Sequence, residues 1–290
     1  MTFTDVKTYF QANRGSAAGL PWHDAQPLTP AEQRAVRTSL QTFQRGEGTG
    51  GDHLLDLARQ YGVPDYAAAM QLFIEEEEGH AAMLGRFMDQ QHIPQLQTHW
   101  LHEVFRTLGR PLGLEHMVRV ILTAEVVAAV YYRALRQATG SALLRGICRR
   151  ILLDEEMHLV YHCVAIRQWS FGRGRLAKWL WRQFYRGLMA GTALVVYTAS
   201  RRTFQAGGYS VGRFGAAIAA EYARLERMQQ AGGTLALRQE SELMDVMKHE
   251  PGITQATVPP PIERHAELVE ASLPLRQAPL SLGRGAGGEA

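Results

Sequence analysis

The 290-residue chain is expected to be all-α, organised around a four-helix bundle. Three observations point there. Apolar residues recur at steps of three and four along most of the chain, the period of a helix with one buried face. Two of these stripes each carry a Glu-x-x-His pair, Glu77 with His80 and Glu155 with His158. Two further stripes each carry one glutamate at a matching distance: Glu47 lies 30 residues before Glu77, and Glu125 lies 30 residues before Glu155.

Residues 1–29 are expected as a loose N-terminal arm, with Pro21, Pro27 and Pro30 near its end. In "LTPAEQ", Thr29 can cap a helix, Pro30 suits its first turn and Glu32 completes a capping box. The first bundle helix is expected to run from there to about Tyr61 and to carry Glu47. Pro64 opens the second, which ends near Asp89. The long connection 90–110, with a short helical stretch near 95–107, suits a crossover between helix pairs. The third helix spans about 111–139 and the fourth starts at Ser141. The bundle is thus assigned to residues 30–170. Residues 171–249 are expected to add two to three helices packed on it, over 174–204, 210–230 and 234–250. Residues 250–290 lack aromatic residues and hold six of the twelve prolines, so a disordered tail is expected.

The glutamates sit where core residues belong. Met70, Phe73, Glu77, His80 and Leu84 share one helix face, while Glu75, Glu76 and Glu78 point elsewhere. Glu155 and His158 lie on the stripe Cys148, Ile151, Cys163. Glu125 lies on Val118, Ile121, Ala128 and Tyr132, and Glu47 on Val36, Leu40, Phe43 and Leu54. A buried carboxylate is costly unless it is protonated, paired or metal-bound. Four helices can project this set into a bundle core, where two divalent cations would neutralise four carboxylates. The two imidazoles complete an N/O donor set suited to iron or manganese.

At these residues the sequence resembles the ferritin-like di-iron carboxylate superfamily, which includes ferritins, rubrerythrins and di-iron oxygenases. The resemblance covers roughly residues 30–170. It implies that Glu47, Glu77, His80, Glu125, Glu155 and His158 bind two iron ions, with Glu77 and Glu155 bridging. Mn/Fe and Mn/Mn pairs use nearly the same ligands. It also implies that the acid before each motif glutamate, Glu76 and Asp154, holds the histidine of the other half; the alternative for both is plain surface charge. Glu47 stands in the glycine-rich "RGEGTGGD", so Glu32 is the alternative if Glu47 caps a loop. Otherwise the glycines are expected to leave room for a small molecule beside the metals. Tyr132, Tyr161 and His162 lie one or two turns from the motif residues. A tyrosine there can donate a proton or be a hydrogen-bonded core residue, and His162 can be a seventh ligand. The similar arylamine N-oxygenases carry an extra histidine where this chain has Ile151, a departure from that activity.

Composition excludes several classes. The net charge is only +3, and no nucleic-acid motif is present. Cys148 and Cys163 lie about 22 Å apart on one helix, so they cannot pair within it. Two cysteines also exclude a four-thiolate iron site, so electrons would come from an external donor. No apolar run is long enough to span a bilayer, and a cytoplasmic protein is expected. The basic stripe Lys178, Arg182 and Arg186 beside Trp179, Trp181 and Phe184 is expected as a solvated face over core aromatics; membrane-surface contact is the alternative. His92, His99 and His102 are expected to be structural. The first functional expectation is an oxidase or oxygenase that uses dioxygen on a small organic substrate. Ferroxidase or rubrerythrin-like peroxide scavenging is the second, and a non-catalytic binding or membrane-surface module the third. Oligomeric state is open, with a dimer compatible.

Overall fold

The computed structural model describes residues 1–14, 19–24, 26–48, 51–97, 107, 113–170 and 173–231. The elements among them are α1 (Phe3–Asn13), a 3-10 turn at Trp22–Asp24, α2 (Pro30–Glu47), α3 (Gly51–Gln60), α4 (Pro64–Gln90), α5 (Gly113–Gln137), α6 (Ala142–Trp169), α7 (Arg175–Ala199), α8 (Arg201–Ala206) and α9 (Val211–Ala231). The described residues form an all-helical protein. Contacts divide the chain into Met1–Asp245 and Val246–Ala290, and everything described belongs to the first. The stretch expected as helical near 95–107 falls mostly outside the described residues, and 95–97 are not helical. His99, His102, the segment 234–250 and the tail 250–290 also lie outside them.

The core forms where α4 and α5 each pack on α6, with α2 and α3 against α4 and α3 touching α5. The helical period explains the burial. Met70, Phe73, His80, Leu84 and Phe87 of α4 face inward, as do Val118, Leu122 and Glu125 of α5. α2 starts as its sequence dictates: Thr29 and Glu32 form a capping box and Pro30 occupies the first turn. The Glu32 carboxylate also accepts from the Gly140 N–H at 2.6 Å, in the turn between α5 and α6. Glu32 is therefore occupied at the far end of α2 from Glu47.

Three expectations about elements are corrected. Residues 3–13, expected within a loose arm, form α1, which packs on α4 and α6. Thr2 and Asp5 make its capping box, and Phe3, Val6 and Phe10 bury one face. Lys7 adds an ion pair to Asp65 at 2.5 Å. The single helix expected over 30–61 is broken: α2 ends at Glu47 and Gly48 caps it. The break lies close against α4. A Cβ on Gly48 would stand 3.1 Å from the Ala81 Cβ, and one on Gly51 would overlap Ile74. Gly48 and Gly51 thus permit helix contact, while Gly46 faces open space and a cavity of about 480 Å³ lies beside Gly48. Finally, the helix expected over 174–204 breaks at Ser200 into α7 and α8.

The C-terminal helices pack outside the core. α7 lies on α5, α8 on α5 and α2, and α9 on α5, α6 and α7. The Thr203 hydroxyl of α8 donates to the Ala35 carbonyl of α2 at 2.8 Å. Gly207 sits so close to α5 that a Cβ would strike the Ala134 carbonyl. Arg133 of α5 meets Glu221 of α9 at 2.5 Å, and Arg224 of α9 joins Glu221 to Glu156 of α6. Trp179 and Phe184, expected in a core beneath the basic stripe, are each 55% exposed.

Candidate metal centre

The six site residues arrive from four helices. Glu47 is the last residue of α2, Glu77 and His80 lie one turn apart on α4, Glu125 lies on α5, and Glu155 and His158 lie one turn apart on α6. The structure brings all six together in two overlapping groups. Glu47, Glu77, His80 and Glu155 each offer a donor atom within 4.8 Å of the others; Glu77, Glu125 and His158 do the same. Glu77 belongs to both groups, and its Oε1 lies 3.1 Å from His158 Nδ1. Glu155 Oε2 and Glu125 Oε2 each lie 3.7 Å from that nitrogen. Glu47 and Glu77 are the partly exposed members and the other four are buried, so the group opens toward the α2–α3 break.

The histidines are held crosswise. His80 Nε2 of α4 lies 3.0 Å from Asp154 Oδ2 of α6. His158 Nε2 of α6 lies 2.9 Å from Glu76 Oε2 of α4. Where each carboxylate takes the Nε2–H of a neutral ring, the lone pair falls on Nδ1, and both Nδ1 atoms face the glutamates. Arg150, one turn before Asp154, donates to it from Nε at 2.7 Å. Arg150 was not anticipated, although its i,i+4 spacing to Asp154 is visible in the sequence. Phe10 and Phe73 close over His158, with ring centroids at 5.8 and 4.7 Å.

The remaining candidates divide. The Tyr132 hydroxyl donates to Glu47 Oε1, so this tyrosine touches the group. Burial, then the neighbouring Glu47 charge, pushes its hydroxyl well above the usual range, and it stays a donor. The Tyr161 hydroxyl instead donates to the Tyr66 carbonyl at 3.0 Å, away from the glutamates. His162 is fully buried and its Nε2 lies 3.5 Å from Glu125 Oε1. Burial and the nearby His158 push its ring down to about 3, so it is neutral. Glu75 and Glu78 are exposed.

The donor atoms themselves test whether metal fits. Glu77 Oε1, Glu125 Oε2, Glu155 Oε2, His80 Nδ1 and His158 Nδ1 are buried without a hydrogen-bond partner. Buried polar atoms normally have one, so five unpartnered donors converging on one space mark a place for cations. The titration pattern reflects how closely the acids crowd one another. Burial, with the Glu77 charge, holds Glu47 well above the carboxylate range. Burial, with Glu125, does the same to Glu155. Burial would raise Glu77 too, but His158 and His80 outweigh it and hold Glu77 low.

Compared with protein-family models, curated proteins and solved structures, the chain matches none.

Proposed function

We propose that these six residues hold two metal ions, with iron the favoured metal, and that the protein is a ferritin-like di-iron oxidoreductase acting with dioxygen on a small organic substrate. The observation that carries this reading is the pair of overlapping donor groups sharing Glu77, with each histidine braced by an acid from the opposite helix. Four carboxylates balance two divalent ions, and two imidazoles give each ion one nitrogen. Two bound irons would supply two electrons in one encounter with an oxidant. The residues of this chain do the rest. Asp154 and Glu76 orient the imidazoles. Phe10 and Phe73 exclude water beside His158. Tyr132 holds a proton on Glu47, at the partly exposed side of the group. The arrangement of helix pairs α2–α3 with α4 and α5 with α6, joined by the long connection after α4, supports a ferritin-like bundle.

Oxygen uptake by Fe(II)-loaded protein with an external reductant tests the activity. Sustained uptake that depends on an added organic compound is expected. Uptake that ends when ferrous ion is consumed would favour a ferroxidase instead. No uptake by protein shown to hold iron would overturn both.

A further inference from the structure

The proposed centre makes no use of α7, whose outer face differs from every other surface described. Leu176, Trp179, Leu180, Phe184 and Leu194 are between 53 and 70% exposed, and all five lie on this helix. The sixth exposed large hydrophobic residue, Val211, opens α9. Leu176, Leu180, Phe184, Gly187, Gly191 and Leu194 follow at steps of four, four, three, four and three, so they form one exposed stripe without a charge. Soluble surfaces rarely gather their exposed apolar residues in one place without a partner.

Charge indicates which partner. Between Glu156 and Glu221 the chain has no Asp or Glu in 64 residues but nine Lys and Arg. With a total of +3, the remainder of the chain carries −6. Arg175, Lys178, Arg182 and Arg186, all exposed, recur at steps of three and four on the side of α7 turned away from the apolar stripe, since Lys178 and Arg182 each stand two residues from Leu180. On that side, α7 and α9 form with the ends of α5 and α6 a cleft of about 350 Å³. Arg119, Arg167, Arg173, Lys178 and Arg182 line it; Arg182 meets the lining acid Glu226 at 3.6 Å, and Arg119 and Arg173 are paired with Glu115. The Trp181 ring forms part of the wall, under the Arg173 guanidinium at 5.1 Å.

We infer that α7 docks the protein on an anionic lipid surface, its exposed apolar stripe entering the headgroup layer and the positive charge of the surrounding region favouring anionic lipid. An apolar face with cations on the other side is the pattern of an interfacial helix. No described helix is long and apolar enough to cross a membrane, so the contact is peripheral. A second copy of the chain fits less well, because a two-fold contact through α7 would bring two positively charged regions together. A nucleic acid would use the arginines but leave Leu176, Leu180 and Phe184 without a role.

Co-sedimentation of the full chain tests this, with neutral phosphatidylcholine vesicles and with vesicles containing one third phosphatidylglycerol. The protein is expected to pellet with the anionic vesicles only, and less as salt rises. Leu180→Glu/Phe184→Glu and Lys178→Glu/Arg182→Glu are each expected to lower the partition coefficient at least about tenfold. Their helical circular dichroism and melting temperature should match wild type, since all four side chains are exposed. Equal recovery with both vesicle types, or none with either, would overturn the inference. So would a dimer in light scattering that Leu180→Glu/Phe184→Glu dissociates, or binding to an oligonucleotide in place of vesicles. Metal content does not enter these readouts, so they are independent of the proposed centre.

Discussion

At His80 and His158 the two nitrogens of each ring do different work. Nε2 is held by an acid from the opposite helix, and Nδ1 faces glutamates without a partner. Removing the acid's charge should loosen the ring without touching a donor atom. Asp154→Asn and Glu76→Gln are each expected to weaken metal binding by about 10–100-fold, measured by competition with a chromophoric chelator. Unchanged affinity would show that the pairing is incidental. These residues were legible for different reasons. Glu77, His80, Glu155 and His158 interrupt apolar stripes, where a charge stands out. Arg150 was not, because an arginine one turn from an aspartate is common on any wet helix face. Tyr161 lies on the same helix as the motif, yet its hydroxyl turns to the Tyr66 carbonyl, a choice fixed by tertiary contact alone.

At the scale of elements, the glycines around Glu47 decide where α2 stops and how near α4 comes. Gly51→Ala would push a methyl into Ile74 and is expected to cost about 1–3 kcal/mol in chemical denaturation. Helix α1 has a different role, since its Phe10 packs on both His158 and Tyr161. Phe10→Ala is expected to destabilise by about 3–5 kcal/mol, read from urea melts. A loss below about 1 kcal/mol would mean that α1 is not docked. The main helices were legible from period, caps and prolines, which act locally. The α2–α3 break was half legible: four glycines warned against a continuous helix, but the apolar stripe runs through them to Leu54. α1 was overlooked although Phe3, Val6 and Phe10 have helical spacing and Thr2 and Asp5 form its capping box. Eleven residues are too few to hold a helix without the tertiary contacts that this one makes.

Across the whole molecule, a buried ionic chain fastens α9 to the helices that carry the centre. Glu221 pairs with Arg133 and Arg224, and Arg224 reaches Glu156, next to Glu155. Burial alone would raise the Glu221 carboxyl, but the two arginines outweigh it and hold it below its ordinary 4.5. A depressed folded value means that the unfolded chain takes up the proton more readily. The stabilisation is therefore complete above about 4.5 and is lost as pH falls through the folded value. Arg224→Met should cost about 3–5 kcal/mol at neutral pH, because it leaves Glu221 and Glu156 short of a buried partner. It should also flatten the acid limb of the stability curve; an unchanged limb would contradict this assignment. The C-terminal helices were anticipated from their apolar period, but their attachment was not, since Arg133, Glu156 and Glu221 are distant in sequence. Nor was the outward face of α7, because a stripe of Trp, Leu and Phe has the same spacing whether it faces core or solvent. The most direct test of the proposed centre is metal content per chain, for protein purified from iron- and manganese-supplemented cells, on wild type and on Glu77→Ala/Glu155→Ala. A di-metal centre predicts about two ions per wild-type chain and loss of both in the variant. A folded wild-type protein that stays metal-free after anaerobic reconstitution would contradict it.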